Sequence, residues 1–457
     1  MIEAMAMAEA PAQATIADLA GRWEGVIRVG EASIPIVIRV AQAPDGFVAM
    51  MDSPTQNARD IPVTGLSESS GVVRFTAPAV GGRFEGARSA DGSTWTGTLA
   101  QGGGSLPLIL TRAAPAADVA VSAPPSRPQT PVPPLPYASE DVTFANTGAG
   151  ITLAGTLTVP AGAGPFPAVV LLTGSGAQDR DETIFNHKPF AVWADALTRR
   201  GVAVLRFDDR GVGGSGGGTA SETSEDFAGD AAAAMAFLRT RPEIDPAGIG
   251  FVGHSEGGMT GPLAVSKGAP AAFIVMIAGQ AVSGADIITE QAARLAQAGG
   301  ASPDQVAEAR RVQGEVMAAV VRNKNDGPAA AREAEAVLVA AGQPAAQAQA
   351  GVRLLSSPWY RWFASHDPAP ALAELRVPLL ALYGGKDLQV PADQNAEALA
   401  RVQPAAEVVV LPGLNHLMQH ATTGLPNEYG SNTETLAPEA ISTVVDWVVR
   451  TTGARQP

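Results

Sequence analysis

One stretch constrains the fold more than any other: Gly248-Ile249-Gly250-Phe251-Val252-Gly253-His254-Ser255-Glu256-Gly257-Gly258. An apolar run that closes on Gly-x-Ser-x-Gly places a serine on a sharp turn from strand to helix. Gly253 and Gly257 are needed there because a side chain at either would collide with the adjoining strand or helix. The flanks agree with that geometry. Residues 247–252 read as a buried strand, and 257–267 as a helix with small residues on one side. In a chain with 50 glycines the alternative is a chance pentapeptide. The strand and helix on either side decide against it.

Before this stretch the chain changes character twice. Residues 15–112 read as an all-β domain, one small antiparallel sandwich or barrel. Ser33 to Val40 is a β-branched run, residues 71–75 a second strand, and Asp45-Gly46 and Asp91-Gly92 are hairpin signals. Gly21-Arg22-Trp23-Glu24-Gly25 is echoed by Gly82-Arg83-Phe84-Glu85-Gly86. One recurrence is too few for a solenoid and reads as two similar strands. Residues 113–136, with Pro124-Pro125, Pro128, Pro131 and Pro133-Pro134, read as a semi-rigid spacer. Residues 1–14 form an N-terminal tail.

The rest, 137–457, begins with a hairpin over 141–160 and then alternates strands with helices. The strands fall near 168–173, 202–207, 248–253, 272–278, 379–383 and 407–411, with helices such as 190–199 and 226–240 between them. Near-continuous apolar strands separated by helices predict a mostly parallel sheet covered on both faces. Residues 279–378 interrupt the alternation. A connection this long is rarely structureless, and its Ala/Glu/Arg/Gln-rich runs at 291–298, 303–323 and 329–341 predict an inserted helical cap.

A net charge of −14 argues against nucleic acid or an anionic membrane as partner. The absence of cysteine removes disulfides, thiolate metal sites and a cysteine nucleophile together. No apolar run is long enough to span a membrane. The start of the chain lacks the basic and apolar segments of a signal peptide. Residues 8–14 do resemble the small-residue start of an exported mature chain, a lean towards a periplasmic or secreted protein that leaves a cytoplasmic one open.

A serine hydroxyl needs a base to remove its proton. Of the five histidines, His254 adjoins Ser255 on the turn and is read as pointing elsewhere, and His187 and His366 do not follow a strand end. His416 lies in a loop just after the last strand, at the sheet edge where Ser255 emerges. His416 and His420 have the spacing of a helical metal pair, but Leu417 stands where a zinc protease motif needs glutamate, so a zinc site is rejected. The base needs a carboxylate to fix its tautomer, and Asp387 follows the next-to-last strand, giving the order Ser, Asp, His. Asp208 and Asp209 precede the serine, and Gln280 cannot serve as an acid. An oxyanion needs two donors: the N–H of Glu256 and that of Ser175 in Thr173-Gly174-Ser175-Gly176, with Gly176 as the alternative. Gly211-Val212-Gly213-Gly214-Ser215-Gly216 matches G-x-G-x-x-G but is separated from its strand and followed by no immediate helix, so no dinucleotide cofactor is expected.

Thr173-Gly174-Ser175-Gly176, Phe207-Asp208-Asp209-Arg210-Gly211, the Gly253 to Gly258 turn, Asp387 and His416 together resemble the α/β-hydrolase superfamily, and within it bacterial serine carboxylesterases of the EstD-like type. The resemblance covers 137–457. It implies an α/β-hydrolase fold and a cofactor-free esterase using Ser255, Asp387 and His416 on small-molecule esters; the inserted cap and the small all-β domain that precedes the fold are read from the sequence pattern above, and the β domain lies outside the resemblance. Thr173 stands where the superfamily often has histidine. Trp359 and Trp362, in the aromatic-rich run 358–363 just before the sheet resumes, are candidates for the acyl pocket. Two other readings stay open: a prolyl-oligopeptidase-like peptidase, for which about a hundred residues of β structure are too few to build a propeller, and a polymer- or envelope-binding protein with a secondary hydrolase part. The sequence does not give the oligomeric state.

Overall fold

The structure, a computed structural model, describes residues 16–29, 32–43, 46–54, 58–77, 82–101, 104–113 and 127–455. The tail 1–14, Asp45 of the first turn pair and Pro124-Pro125 lie outside the described residues. The chain divides into two compact units, Met1–Pro125 and Ser126–Pro457.

In the first unit, β1 (Gly21–Val29), β2 (Ala32–Ala43), β3 (Gly46–Ser53), β4 (Ala58–Ser69), β5 (Val72–Ala77), β6 (Gly82–Arg88), β7 (Thr94–Gln101) and β8 (Gly104–Arg112) run up and down in sequence order. They close into a barrel where Trp23 and Glu24 of β1 pair with Arg112 and Thr111 of β8. Alternation makes this possible: along β5, Val73, Phe75 and Ala77 are buried and their neighbours are not. Eight strands enclose just enough room for side chains, and Trp23, Phe75, Phe84, Trp95 and Leu108 fill it. Trp23 stacks on Trp95 at 3.8 Å and Phe75 on Phe84 at 4.9 Å. The echoed pentapeptides put Trp23 and Phe84 at matching inward positions of β1 and β6, so they are two similar strands. The described strands of this unit form one barrel.

The second unit opens earlier than the sequence places it. Residues 127–136, read above as spacer, are fastened to it. The Arg127 guanidinium donates to the carbonyls of Phe185, Gly430 and Asn432. Gln129 bridges the main chain at Thr435 and Leu436.

The sheet of this unit comprises β9 (Ala138–Asn146), β10 (Ile151–Val159), β11 (Phe166–Leu172), β12 (Ala203–Phe207), β13 (Ile244–His254), β14 (Ile274–Ile277), β15 (Leu379–Gly384) and β16 (Glu407–Leu411). Its spatial order is β16-β15-β14-β13-β11-β12-β10-β9. The six strands from β16 to β12 are parallel, and the β9–β10 hairpin adds an antiparallel margin. Helices α1 (Pro189–Thr198) and α11 (Pro438–Thr452) supply Trp193, Leu197, Val444 and Val448 to the core on one face. On the other, α2 (Ser224–Leu238) and α3 (Glu256–Ser266) contribute Ala231, Met235, Leu263 and Ala264, and α10 (Ala392–Val402) packs Ala398 and Leu399 in a further cluster. This is the α/β-hydrolase arrangement.

Between β14 and β15 lie α4 (Gly284–Ala298), α5 (Pro303–Arg322), α6 (Gly327–Ala340), α7 (Ala345–Leu355), α8 (Pro358–Ser365) and α9 (Ala369–Glu374). The cap is therefore helical throughout, with three helices more than its sequence runs indicate. Its starts are written locally: Ser283, Ser302, Asp326 and Ser357 each cap a helix by accepting from a main-chain N–H of the first turn. Val316, Val320, Ala334, Val352 and Tyr360 give it a core of its own.

Candidate active site

Ser255 sits between β13 and α3 with φ 53°. A left-handed serine is strained and persists only where the surroundings impose it. The glycines supply those surroundings. A Cβ on Gly253 would run into the Gly257 carbonyl, and one on Gly257 into the Leu172 carbonyl of β11. The turn thus closes against the neighbouring strand and presents the serine beyond the C-terminal ends of the parallel strands.

The three residues singled out in the sequence meet there. The Ser255 hydroxyl is 3.1 Å from His416 Nε2, and His416 Nδ1 donates to Asp387 Oδ2 at 2.8 Å. Asp387 and His416 are both buried. The second oxygen of Asp387 accepts from the N–H groups of Gln389 and Val390, at 2.8 and 2.9 Å. Its orientation is thereby set by the main chain at the start of the loop after β15. The His416 loop is set by Asn415, fully buried, whose Oδ1 accepts from Leu417 and Gln419 N–H.

The loop after β11 comes up against the serine: a Cβ on Gly174 would lie 3.3 Å from Ser255 Cβ. Thr173 turns its hydroxyl onto Asp209, 2.7 Å away. The Gly174 N–H is committed to Glu182 at 2.6 Å, and Ser175 and Gly176 follow it in the loop. Ser175 is exposed. Glu256 stands at the first position of α3, where helix N–H groups have no intrahelical partner.

The Glu256 side chain is a feature the sequence did not flag. Its buried carboxyl accepts from Ser224 Oγ at 2.5 Å and from the Trp359 indole N–H at 2.9 Å. Burial raises its pKa against these hydrogen bonds and a third from Ser175. Asp209 is likewise pushed up, to about 8, by burial, with the charges of Glu256 and Glu182 adding to it against the bonds from Thr173 and Gln178. A small cavity of about 20 Å³ lies between these acids, lined by Thr173, Gly174, Phe227 and Thr260 among others, the room one water needs.

The two tryptophans part company. Trp359, on α8, reaches the elbow through Glu256 and stacks on Phe363 at 5.3 Å. Trp362 stacks on His366 at 4.3 Å and lines a separate groove with Thr223, Lys324 and Arg361, which none of Ser255, Asp387 or His416 borders.

The remaining histidines fall elsewhere with one exception. His187 is buried between Thr435 and the Tyr429 carbonyl, its pKa lowered to about 4 by burial and by Arg127. His420 is exposed and pairs with Glu434 and Glu439. The exception is His254, read from sequence as pointing away: its ring lies 4.9 Å from that of His416. The glycine loop at 211–216 folds onto its own strand. Asp208, also paired with Arg180, accepts from the Gly214 N–H, and Ser215 donates to the Asp208 carbonyl.

Residues 188–422, more than half of the chain, match the family described as serine aminopeptidase, S33. Over 268 residues, 58% of each chain, the protein is 30% identical to esterase EstD of Thermotoga maritima. It thus spans less than two thirds of that relative's length. Among solved structures it is similar to an esterase of Pyrococcus furiosus, at 16% identity over 69% of this chain and 91% of the other with a TM-score of 0.42. It is also similar to the esterase domain of a Rhodothermus marinus protein, at 18% identity over 68% and 98% with a TM-score of 0.38.

Proposed function

The chain belongs to the serine aminopeptidase S33 family of hydrolases, and from that premise we propose that it is a serine esterase acting on carboxylic esters of short to medium acyl chain through an acyl-enzyme. The observation that carries this reading is the continuous chain of contacts from Ser255 Oγ to His416 to Asp387. With Nδ1 donating to Asp387, His416 presents the lone pair of Nε2 to the hydroxyl and takes its proton as the oxygen attacks the ester carbonyl. The tetrahedral oxyanion is received by the N–H of Glu256 and that of Ser175, with Gly176 as the alternative loop donor. His416 then returns the proton to the leaving alcohol. Water repeats the sequence on the acyl-enzyme to release the acid.

Esterase rather than peptidase chemistry is favoured by the 30% identity to an esterase. A screen across p-nitrophenyl esters, thioesters and aminoacyl anilides tests it. Hydrolysis confined to anilides would replace the esterase reading with the peptidase one.

The acyl group is proposed to lie against α8. The cavity among the buried acids is too small to hold it. Trp359 is the proposed wall because it contacts the elbow residue itself. Each methylene in an apolar pocket is worth roughly 1–3 kcal/mol of discrimination. Trp359→Ala is therefore expected to shift the chain-length optimum in kcat/KM across p-nitrophenyl acetate, butyrate, octanoate and palmitate. Trp362→Ala is expected to lower the melting temperature and leave the optimum in place. Unchanged profiles in both variants would leave α8 as an anchor only.

We also propose that the barrel unit takes no part in the chemistry, since the first histidine of the chain is His187 and every residue of the site lies beyond Ser126. A chain beginning at Ser126 is expected to keep kcat on p-nitrophenyl acetate. One beginning at Tyr137 loses the Arg127 and Gln129 anchors and is expected to melt at a lower temperature. A Ser126 chain that folds, by circular dichroism, and is inactive would place part of the site in the barrel unit.

A further inference from the structure

Behind the aligned Ser255, His416 and Asp387 lies a second histidine–carboxylate pair that none of the steps above uses. Glu182, in the loop between β11 and α1, is 5% exposed and has φ 52°. Its Oε1 receives two donors: the Gly174 N–H at 2.6 Å and His254 Nδ1 at 2.9 Å. The other ring nitrogen, His254 Nε2, is 3.0 Å from the main-chain carbonyl of His416. Both partners of the His254 ring are acceptors, so both nitrogens must carry hydrogen, and only the imidazolium does so. Burial works against that cation. The charge and hydrogen bond of Glu182, the His416 carbonyl and the charge of Asp387 outweigh it and raise the His254 pKa above its ordinary value. The ionisable groups facing this ring are Glu182, Asp387 and the His416 imidazole, and the charge of Glu182 also raises the pKa of Asp209.

We propose that Glu182 and His254 are positioning residues: a buried carboxylate–imidazolium pair that locks the loop carrying the catalytic histidine to the loop that supplies the oxyanion donor. The proposal rests on the reading of Ser255 as nucleophile and His416 as its base. One carboxylate oxygen holds Gly174, the residue before Ser175. Through His254 it also holds the backbone of His416. The two halves of the site, 242 residues apart in sequence, thus share one reference point. Displacing either loop by a fraction of an ångström moves base and donor relative to the same carbonyl carbon, and a misplacement of about 1 Å costs on the order of a hundredfold in rate.

Glutamine at 182 keeps the shape and cannot keep the arrangement. If its oxygen faces Gly174 and His254, the imidazolium is buried without a counter-charge and sheds a proton, leaving a lone pair against one of its acceptors. If its nitrogen faces them, it cannot accept from Gly174.

The test uses the full chain and p-nitrophenyl butyrate. Fluorophosphonate labelling of wild type, with Ser255→Ala as the blank, first establishes the nucleophile. Absence of labelling, with activity kept in Ser255→Ala, overturns the reading on which the proposal rests and the proposal with it. Given labelling, Glu182→Gln and His254→Gln are each expected to lower kcat about tenfold to a hundredfold with KM little changed. The alkaline limb of the Glu182→Gln profile should move towards neutral pH, because loss of the His254 proton then occurs earlier. Wild-type kcat and an unmoved pH profile in both variants, whatever their melting temperatures, would overturn the proposal. A measurement on the unmutated chain covers the case of a Glu182→Gln variant that does not fold. In ¹⁵N-histidine NMR, with His254→Gln identifying the signal, the His254 imidazole should stay doubly protonated above the ordinary histidine range, and a neutral His254 ring at neutral pH would overturn it equally.

Discussion

Ser255→Ala and His416→Ala are each expected to remove nearly all of kcat, about a million-fold where the serine and histidine act as one unit, and the double variant is expected to be little worse than either. Non-additivity follows from the contact itself. The hydroxyl is 3.1 Å from Nε2, its one basic partner among the described residues. Without His416 it stays a poor nucleophile, and without Ser255 the imidazole has nothing to deprotonate. What survives is the rate due to binding and the oxyanion donors, roughly a thousandfold over water. Single-turnover kinetics on p-nitrophenyl acetate, with the three variants compared at saturating substrate, measure this directly. Losses that multiply would mean the two residues act independently, and an active Ser255→Ala would remove the serine mechanism altogether.

Asp387→Asn is expected to cost roughly ten-thousandfold in kcat at neutral pH with little change in KM. The two N–H groups from Gln389 and Val390 that converge on Oδ1 determine which way the amide turns. They hold the asparagine oxygen in that place, so the amide nitrogen faces His416 Nδ1. The ring must then accept at Nδ1 and carry its proton on Nε2, pointing at Ser255, the tautomer that cannot act as base. Stability should change far less than rate, since the volume and the main-chain bonds are kept. A variant with wild-type melting temperature and near wild-type kcat would show that Asp387 does not fix the tautomer. Asp387→Ala, which lets water reach the ring, separates loss of charge from the wrong tautomer if it proves the more active of the two.

Much of this was legible in the sequence where the signal is local. The elbow carries its own glycines, each excluded from having a side chain by backbone within the same strand–turn–helix unit or the next strand. The parallel strands are short apolar runs because both sheet faces are covered, and the observed β15 and β16 begin where those runs begin. What was not legible depends on distant partners. Alternating strands look the same in a sandwich and in a barrel, and the difference is the pairing of β1 with β8. Arg127 and Gln129 look like spacer residues until they meet carbonyls some 300 positions away. Glu182 sits in the charged run Asp179-Arg180-Asp181-Glu182, and its partner His254 is 72 residues on. His254 reads from sequence as pointing away, because it adjoins Ser255 on the turn. No periodicity marks a side chain that acts through another residue's carbonyl. The short helices α7 to α9 escaped because their caps and breaks lie too close together for an apolar stripe to repeat.

The way the two sheets end bears on how such a protein behaves when concentrated. A sheet margin with free main-chain groups is a template on which another chain can add a strand. The barrel, closed by β1 and β8, has no such margin among its described strands. The open sheet has two, and both are defended. Along β9, Glu140 and Asp141 are exposed and engaged by Arg241 and Arg180. At the far side β16 is only five residues long and starts at Glu407, within reach of Arg450. Aggregation by strand addition therefore has to wait for local unfolding. Removing charge from β9, as in Glu140→Val with Asp141→Val, is the change most expected to release it, read as concentration-dependent light scattering at a temperature where circular dichroism still reports the native fold.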